Sequence, residues 1–386
     1  MKAIIKGKIV TEEKVIEGKV LLFDNKILDI MDEKDLEDYK IKNNLEDMEV
    51  INAAGKYVGP GLIDLHIHGS GGSDTMDGSL EALNNMSSTI SRRGVTSFLP
   101  TTMTMEIGLI YKALDTIKEA MNIEMKGAKV LGAHMEGPFI SEKYKGAQSA
   151  THIKKPDYEL VKDYLDVIKI ITLAPEEDEG HEFIKRIKKE SRIVLSIGHT
   201  NATYEETNEA IKNGISHATH TFNAMTPLNH RKPGVVGAIF NSDISSELIA
   251  DTVHVHPELF KLLVRIKGTE KVVLITDFIR AGGLGTGISE LGGQKVVVDD
   301  NSARLVDGTL AGSVLGLNLA VKNILDNTDL KINEAINMAS LNAAKVIGID
   351  DKKGSIKRGK DADIIIFDEN LNIYNTVVEG KVVFKG

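Results

Sequence analysis

His66 and His68 close the run LIDLHIH, with one residue between them. In a strand that spacing turns both imidazoles to one face, where they can reach a common ion. Glu136 follows another apolar run, in His134-Met135-Glu136-Gly137-Pro138. A carboxylate at such a place can bridge two ions with its two oxygens. His134, two residues earlier on the same face, could support the site from behind. His199 ends the run Ser196-Ile197-Gly198-His199, and His220 ends His217-Ala218-Thr219-His220. His217 is out of strand register with His220, so His220 reads as the ligand and His217 as a structural histidine. Asp277 follows the apolar run 272–276; burying its carboxylate costs free energy unless it binds an ion or accepts hydrogen bonds. The chain has no cysteine, which leaves imidazoles and carboxylates as ligands. That set suits zinc or iron(II). A bound divalent ion lowers the pKa of its water to about 7 and polarises a carbonyl. Asp277 is placed to take that proton and return it to a leaving group. The expected chemistry is metal-assisted hydrolysis of a C–N or ester bond.

Residues so far apart in sequence need a scaffold that gathers strand ends. Eight short apolar runs, at 62–68, 95–100, 129–135, 168–174, 193–199, 216–220, 248–251 and 272–277, alternate with helical patterns such as 204–212 and 257–265. That alternation predicts a TIM-like (β/α)8 barrel spanning 61–354, with its chemistry at the C-terminal ends of the strands. Both ends of the chain read differently. Strand runs at 3–10, 15–23 and 26–30 precede a charged stretch, 31–47, read as a helix or surface insertion. Further strand runs at 362–367, 373–378 and 382–384 close the sequence. The economical reading is one small β-sandwich domain made from 1–60 plus 355–386.

Composition narrows the function classes. The 386 residues are 42% hydrophobic and 27% charged, as in an ordinary globular protein. A formal net charge of −9 argues against a nucleic-acid partner, which calls for a basic face. No apolar run approaches the ~20 residues of a membrane span, and the first residues lack the apolar core of a signal peptide. A cytoplasmic protein with no membrane partner is the expectation. The GGLGTG stretch at 282–287 does not open a helix and lacks the dinucleotide-binding spacing, so it reads as a loop over the site. No phosphate-binding P-loop, GxSxG or HExxH motif is present.

GLIDLHIHG at 61–69, the two later histidines, Asp277 and GSIKRGKDADIIIFD at 354–368 resemble the amidohydrolase superfamily. More narrowly, HMEGPF (134–139), KGAQ (145–148), SIGHTNA (196–202), ATHTFNAM (218–225), RKPG (231–234), IADTVHV (249–255), LGGQ (291–294) and GTLAGS (308–313) run in the order of the N-acetylglucosamine-6-phosphate deacetylase family. The resemblance implies a sugar-phosphate substrate that loses acetate. It implies one metal position from Glu136, His199 and His220 and a second from His66, His68 and Asp277, with Glu136 bridging two divalent ions. Some members lack the HxH pair and hold one ion; this sequence keeps it. Asp277 matches the catalytic acid/base. His254 and Arg231 match phosphate contacts, supported by the backbone of Asn223 and Ala224. By themselves His254 and Arg231 read as surface residues. The arginine of similar proteins comes from a neighbouring subunit, which implies a homodimer. Gln148 stands where some members carry histidine, so its part is positioning beside the acetyl group or sugar. Leu310 matches a substrate-lining position, and Phe278 is bulkier than its counterparts. Competing readings are the galactosamine epimer as substrate, another amide hydrolase or deaminase, and a non-catalytic assembly protein on the same fold.

Overall fold

Eight parallel strands carry the predicted apolar runs, and each lies next to its sequence neighbour. In the computed structural model, which describes residues 1–45 and 47–386, they are β1 (Leu62–Ile67), β2 (Val95–Thr102), β3 (Ala133–Glu136), β4 (Ile168–Leu173), β5 (Val194–Ile197), β6 (His217–Ala218), β7 (Ser245–Ile249) and β8 (Val272–Ile275). Parallel pairing runs from β1 through β8. The ring closes just beyond β8: Ile67 bridges Phe278 in parallel, and the Asp277 N–H donates to the His66 carbonyl at 2.9 Å. The expected (β/α)8 barrel is therefore the observed one.

Strands buried on both faces read as continuous apolar runs because helices cover the outside. Every residue of β1 and β2 is buried. The helix Leu80–Ser91 turns Leu83, Met86 and Ile90 inward, and Ile107–Ala120 turns Ile110, Leu114 and Ile117 inward. Those spacings of three and four trace one helical face, and each such side chain stabilises the fold by roughly 1.5–3 kcal/mol. Ser79 caps the first helix by accepting from Ala82 N–H at 3.2 Å. The two helical patterns read from sequence are the helices Tyr204–Asn213 and Glu258–Lys267. Thr203 and Glu206 form a capping box at the start of the former.

The chain ends build two sheets. One has four strands, in the order Ile27–Asp32, Lys19–Phe23, Lys2–Ile5, Glu49–Asn52. The other has six, in the order Lys381–Lys385, Ile373–Val378, Ile364–Phe367, Tyr57–Pro60, Lys8–Val10, Val15–Ile16. Strand alternation gives the six-stranded sheet two dry faces. Ile364 and Ile366 pack with Ile4, Leu21, Phe23 and Val58 in a core between the sheets. Ile365 and Phe367 point the other way and join the barrel's own core. Within the charged stretch 31–47, the helix Leu36–Lys42 buries Leu36 against Ala3, Val20 and Leu22. Glu46 of that stretch lies outside the described residues.

One element was not expected. After β8 the 282–287 loop leads into a three-stranded antiparallel sheet, Gly287–Leu291, Gln294–Val298 and Ala303–Leu305. Leu291, Val296, Val298 and Ala303 form its buried side with Met103 and Ile279.

Candidate metal centre

All six residues read as ligands converge at the C-terminal ends of the strands. Glu136 is the hub. Its Oε1 lies 3.4 Å from His66 Nε2, 3.2 Å from His199 Nε2 and 3.0 Å from His220 Nε2, and its Oε2 lies 3.2 Å from His68 Nε2. Asp277 Oδ1 stands 3.4 Å from His68 Nε2 and 3.6 Å from His66 Nε2. Two triads share the carboxylate: His66, His68 and Glu136 on one side, Glu136, His199 and His220 on the other, each with ligand atoms within 4.8 Å of one another.

The backbone is unusual where the chemistry sits. His199, His220 and Asp277 have φ of +49°, +28° and +51°. Left-handed backbone at a non-glycine residue costs of order 1–3 kcal/mol and needs surroundings that enforce it. Here they do. Ser141 N–H holds the His199 carbonyl at 2.8 Å, Asn223 N–H holds that of His220 at 2.9 Å, and Ser313 N–H holds that of Asp277 at 2.7 Å. Behind His199, Glu176 accepts from Thr200 Oγ1 and from Asn201 N–H, both at 2.5 Å. Gly198 packs so tightly that a Cβ would stand 2.7 Å from Thr219 Cβ and 2.8 Å from Thr172 Cγ2.

Hydrogen bonds also fix the imidazoles. A carbonyl oxygen only accepts, so His68 Nδ1, 3.2 Å from the Thr101 carbonyl, and His199 Nδ1, 2.9 Å from the Tyr144 carbonyl, both carry hydrogen. His66 Nδ1 donates to Glu247 Oε2 at 3.0 Å. Nε2 is then the atom turned to Glu136, bearing a lone pair or an added proton. Two of these imidazoles, His66 and His68, are held toward the protonated form. Burial opposes charge on His68, yet hydrogen bonds to Asp277 and Glu136 hold its pKa up at about 9. His66 is likewise raised: burial is outweighed by the Glu136 and Glu247 carboxylates. Burial works against Glu136 and Asp277 too, but His66 and His199 around the first and His68 and His66 around the second keep both below the usual carboxylate range. His134 goes the other way. Burial and the neighbouring His66 push it down to about 3, so it stays neutral, bonded to the Leu65 carbonyl and Thr172 Oγ1.

The donor set fits a divalent cation. His66 Nε2 is buried without a hydrogen-bond partner among the described residues. Four nitrogen donors aimed at one carboxylate are the surroundings of a cation, and the protons that His66 and His68 retain are what an ion displaces. His66, His68 and Asp277 on one side, and His199 and His220 on the other, could hold it with Glu136 between.

A cavity of about 320 Å³ opens over the cluster, near the lower bound of ordinary small-molecule sites. Gln148, Asn223, Ala224, His254 and Leu310 line it, as does Leu291 of the unexpected sheet. Gln148 Oε1 accepts from Thr104 N–H at 2.8 Å, which turns its amide hydrogens to Glu136 Oε2 at 3.0 Å. His254 Nδ1 meets Asp251 Oδ2 at 2.6 Å. One expectation, a backbone N–H of Asn223 turned to the phosphate, meets a competing contact. Asn223 N–H is committed to the His220 carbonyl, so that backbone donor is already used. Phe278 does not line the cavity; its ring lies against Gly282, where a Cβ would meet it at 2.3 Å. Arg231 is exposed and away from this chain's cavity, with Nη1 2.8 Å from His230 Nε2. A larger hollow, about 540 Å³, separates the terminal strands from the barrel floor, but its Lys26, Lys129 and Lys381 are each paired with a carboxylate. Chemistry, not volume, picks the site.

Sequence reasoning missed Glu247 and Asp64. Glu247 is fully buried on β7 and touches His66, His217 and the His220 N–H. Asp64 accepts from Thr276 Oγ1 at 2.6 Å and from the N–H groups of His66 and Thr276 at 3.3 Å, tying β1 to the end of β8. Burial raises its pKa to about 7 against those hydrogen bonds. For Asp64 the available signal was a carboxylate set between Leu62-Ile63 and Leu65 in a buried strand.

A barrel gathering histidines and acids at its C-terminal rim defines a metal-dependent hydrolase scaffold. The model of the amidohydrolase family matches residues 57–383, and the chain belongs to that family. The N-acetylglucosamine-6-phosphate deacetylase of Bacillus subtilis (strain 168) is 44% identical over 97% of this chain and 95% of its own length. The N-acetylgalactosamine-6-phosphate deacetylase of Escherichia coli O157:H7 is 35% identical over 84% of this chain and 86% of its own. The crystal structure of N-acetylglucosamine-6-phosphate deacetylase from Pasteurella multocida superposes with a TM-score of 0.92 at 33% identity, covering 100% of both chains. No helix among the described residues is long and apolar enough to cross a membrane.

Proposed function

We propose that this protein hydrolyses N-acetyl-D-glucosamine 6-phosphate to D-glucosamine 6-phosphate and acetate, using two divalent ions, zinc or iron(II), that Glu136 and the histidines around it would hold. The observation that carries the reading is the gathering of four imidazole Nε2 atoms and two carboxylates beneath one small cavity. The 44% identity to a glucosamine-type relative, against 35% to a galactosamine-type one, favours the first epimer. Barrel residues 61–354 supply the site, and 1–60 with 355–386 form the small domain.

His199 and His220 would hold one ion with Glu136; His66, His68 and Asp277 would hold the other. When bound, the ions supply a water nucleophile at neutral pH and polarise the acetyl carbonyl. Asp277 is placed to take a proton from the attacking water as general base. It then gives the proton to the amide nitrogen as general acid, so that the C–N bond breaks to amine and acetate. Gln148 presents its amide hydrogens beside Glu136 and positions the acetyl end. Leu310 packs on the sugar. The phosphate needs cations and N–H donors. His254 is placed to contact it, oriented by Asp251. Ala224 N–H and the carboxamide of Asn223 add neutral donors, and Arg231 reaches in from a second copy in a homodimer. An amino-sugar phosphate is a cytoplasmic metabolite, and a cytoplasmic location belongs to the same reading.

Turnover of the two epimeric 6-phosphates and of unphosphorylated N-acetylglucosamine tests this. N-acetyl-D-glucosamine 6-phosphate should be hydrolysed fastest and unphosphorylated N-acetylglucosamine at least about tenfold more slowly. Equal rates with and without phosphate would end the phosphate assignment, and an active preparation free of transition metal would end the mechanism.

A further inference from the structure

Of the four imidazoles that face Glu136, His66 is the one backed by a carboxylate among the described residues. His68 and His199 rest on backbone carbonyls, and His220 Nδ1 is buried without a hydrogen-bond partner among the described residues. Glu247 is 0% exposed. Its Oε2 accepts from His66 Nδ1 and from the His220 N–H, both at 3.0 Å. Its Oε1 faces His217 Nε2 at 3.2 Å, and His217 Nδ1 meets Ser245 Oγ at 2.7 Å. Its carboxylate faces His66 and His217, with no lysine or arginine paired to it among the described residues.

A carbonyl behind an imidazole fixes its tautomer but adds no net charge. A carboxylate does both, and strengthens Nε2 as a donor. The support is therefore unequal. It reaches the His66/His68 position through His66, whereas on the other side it touches only a backbone N–H. We infer that Glu247, held by His217, is a positioning residue that sets the ion affinity of the His66/His68 position independently of the His199/His220 position. The inference rests on the two-ion reading above.

Glu247→Gln isolates the charge, because an amide oxygen in place of Oε2 keeps both hydrogen bonds made there. The metal-free protein would be reloaded with zinc, and occupancy measured by equilibrium dialysis with elemental analysis. The expected result is one of two zinc ions weakened 10–100-fold, with the other unchanged within about threefold. In a His68→Ala background, where the weakened position is already lost, Glu247→Gln should leave the remaining ion's affinity unchanged. A general loss of structural integrity would weaken both ions together, and that result overturns the inference. So does a variant whose two affinities match the parent's. A parent that takes up a single zinc overturns the two-ion reading and this inference with it; a parent with two zincs and an unaffected variant overturns this inference alone. Should Glu247→Gln fail to fold, His217→Asn removes only the contact to Glu247 Oε1, and the same selective weakening, smaller in size, is expected. Equal weakening at both positions, or none, would again refute it.

Discussion

Replacing Asp277 with asparagine separates its chemistry from its place in the fold. Asp277 sits at φ +51°, a conformation asparagine also tolerates. Its backbone bonds, N–H to the His66 carbonyl at 2.9 Å and carbonyl to Ser313 N–H at 2.7 Å, do not involve the side chain. The amide has the shape of the carboxylate but cannot accept the water's proton. General acid–base catalysis contributes about 10²–10⁴ in rate, which is roughly 2.7–5.5 kcal/mol of barrier. Asp277 would act in both half-steps, so a fall in kcat of about 10³ or more is expected, with KM within a few-fold. Oδ1 also stands 3.4 Å from His68 Nε2 and 3.6 Å from His66 Nε2. Loss of that charge should lower occupancy of the His66/His68 position and leave the Glu136/His199/His220 position filled. Acetate release, metal analysis and a thermal unfolding trace on one preparation report the three quantities. Turnover within tenfold of the parent, at equal metal content, would remove Asp277 from the proton-transfer role.

Stripping the ions with a chelator should abolish turnover and lower the melting temperature, and zinc should restore both; saturation at 100 times Kd alone adds about 2.7 kcal/mol. Zinc affinity should rise with pH up to about 9, since His68 in the ion-free protein holds a proton below that value which the ion must displace. Each unit of acidification then weakens binding up to about tenfold per proton released, and a flat titration series from pH 6 to 9 would contradict the charge assignments. Arg231→Ala should raise KM for the phosphorylated sugar tenfold or more and leave the unphosphorylated sugar unaffected; mixing it with an inactive Asp277→Asn chain should recover activity if the arginine crosses between copies. Gly198→Ala should cost about 1–3 kcal/mol by overpacking, because the new methyl meets Thr219 and Thr172 below 3 Å; an unchanged melting temperature would show that the end of β5 yields.

The barrel was legible because parallel strands covered by helices carry uninterrupted apolar runs, and a polar residue ending such a run has few structural excuses. His66, Glu136, His199, His220 and Asp277 all stand at such ends. Glu247 escaped because it precedes the apolar run of β7, in Ser245-Ser246-Glu247, where polar neighbours read as a solvated strand start. Three partners from two other strands make its burial tolerable, and none is visible from local sequence. The sheet after β8 was hidden by the glycines before it, although Gln294–Val298 (QKVVV) has the β-branched content of a strand. Asn223 shows a third limit: which N–H is already used is a property of the turn that holds it.

The six-stranded sheet has a bearing on biosynthesis. Tyr57–Pro60 leaves the ribosome early, yet one of its neighbours, Ile364–Phe367, comes from the far end of the chain. Until that late strand arrives, the early one shows an unpaired edge rich in hydrogen-bonding groups and apolar side chains, a template for association with other nascent chains. Holding that edge harmless during synthesis is thus a task for chaperones or for rapid elongation, and slowing the codons ahead of Ile364–Phe367 should raise the aggregated fraction.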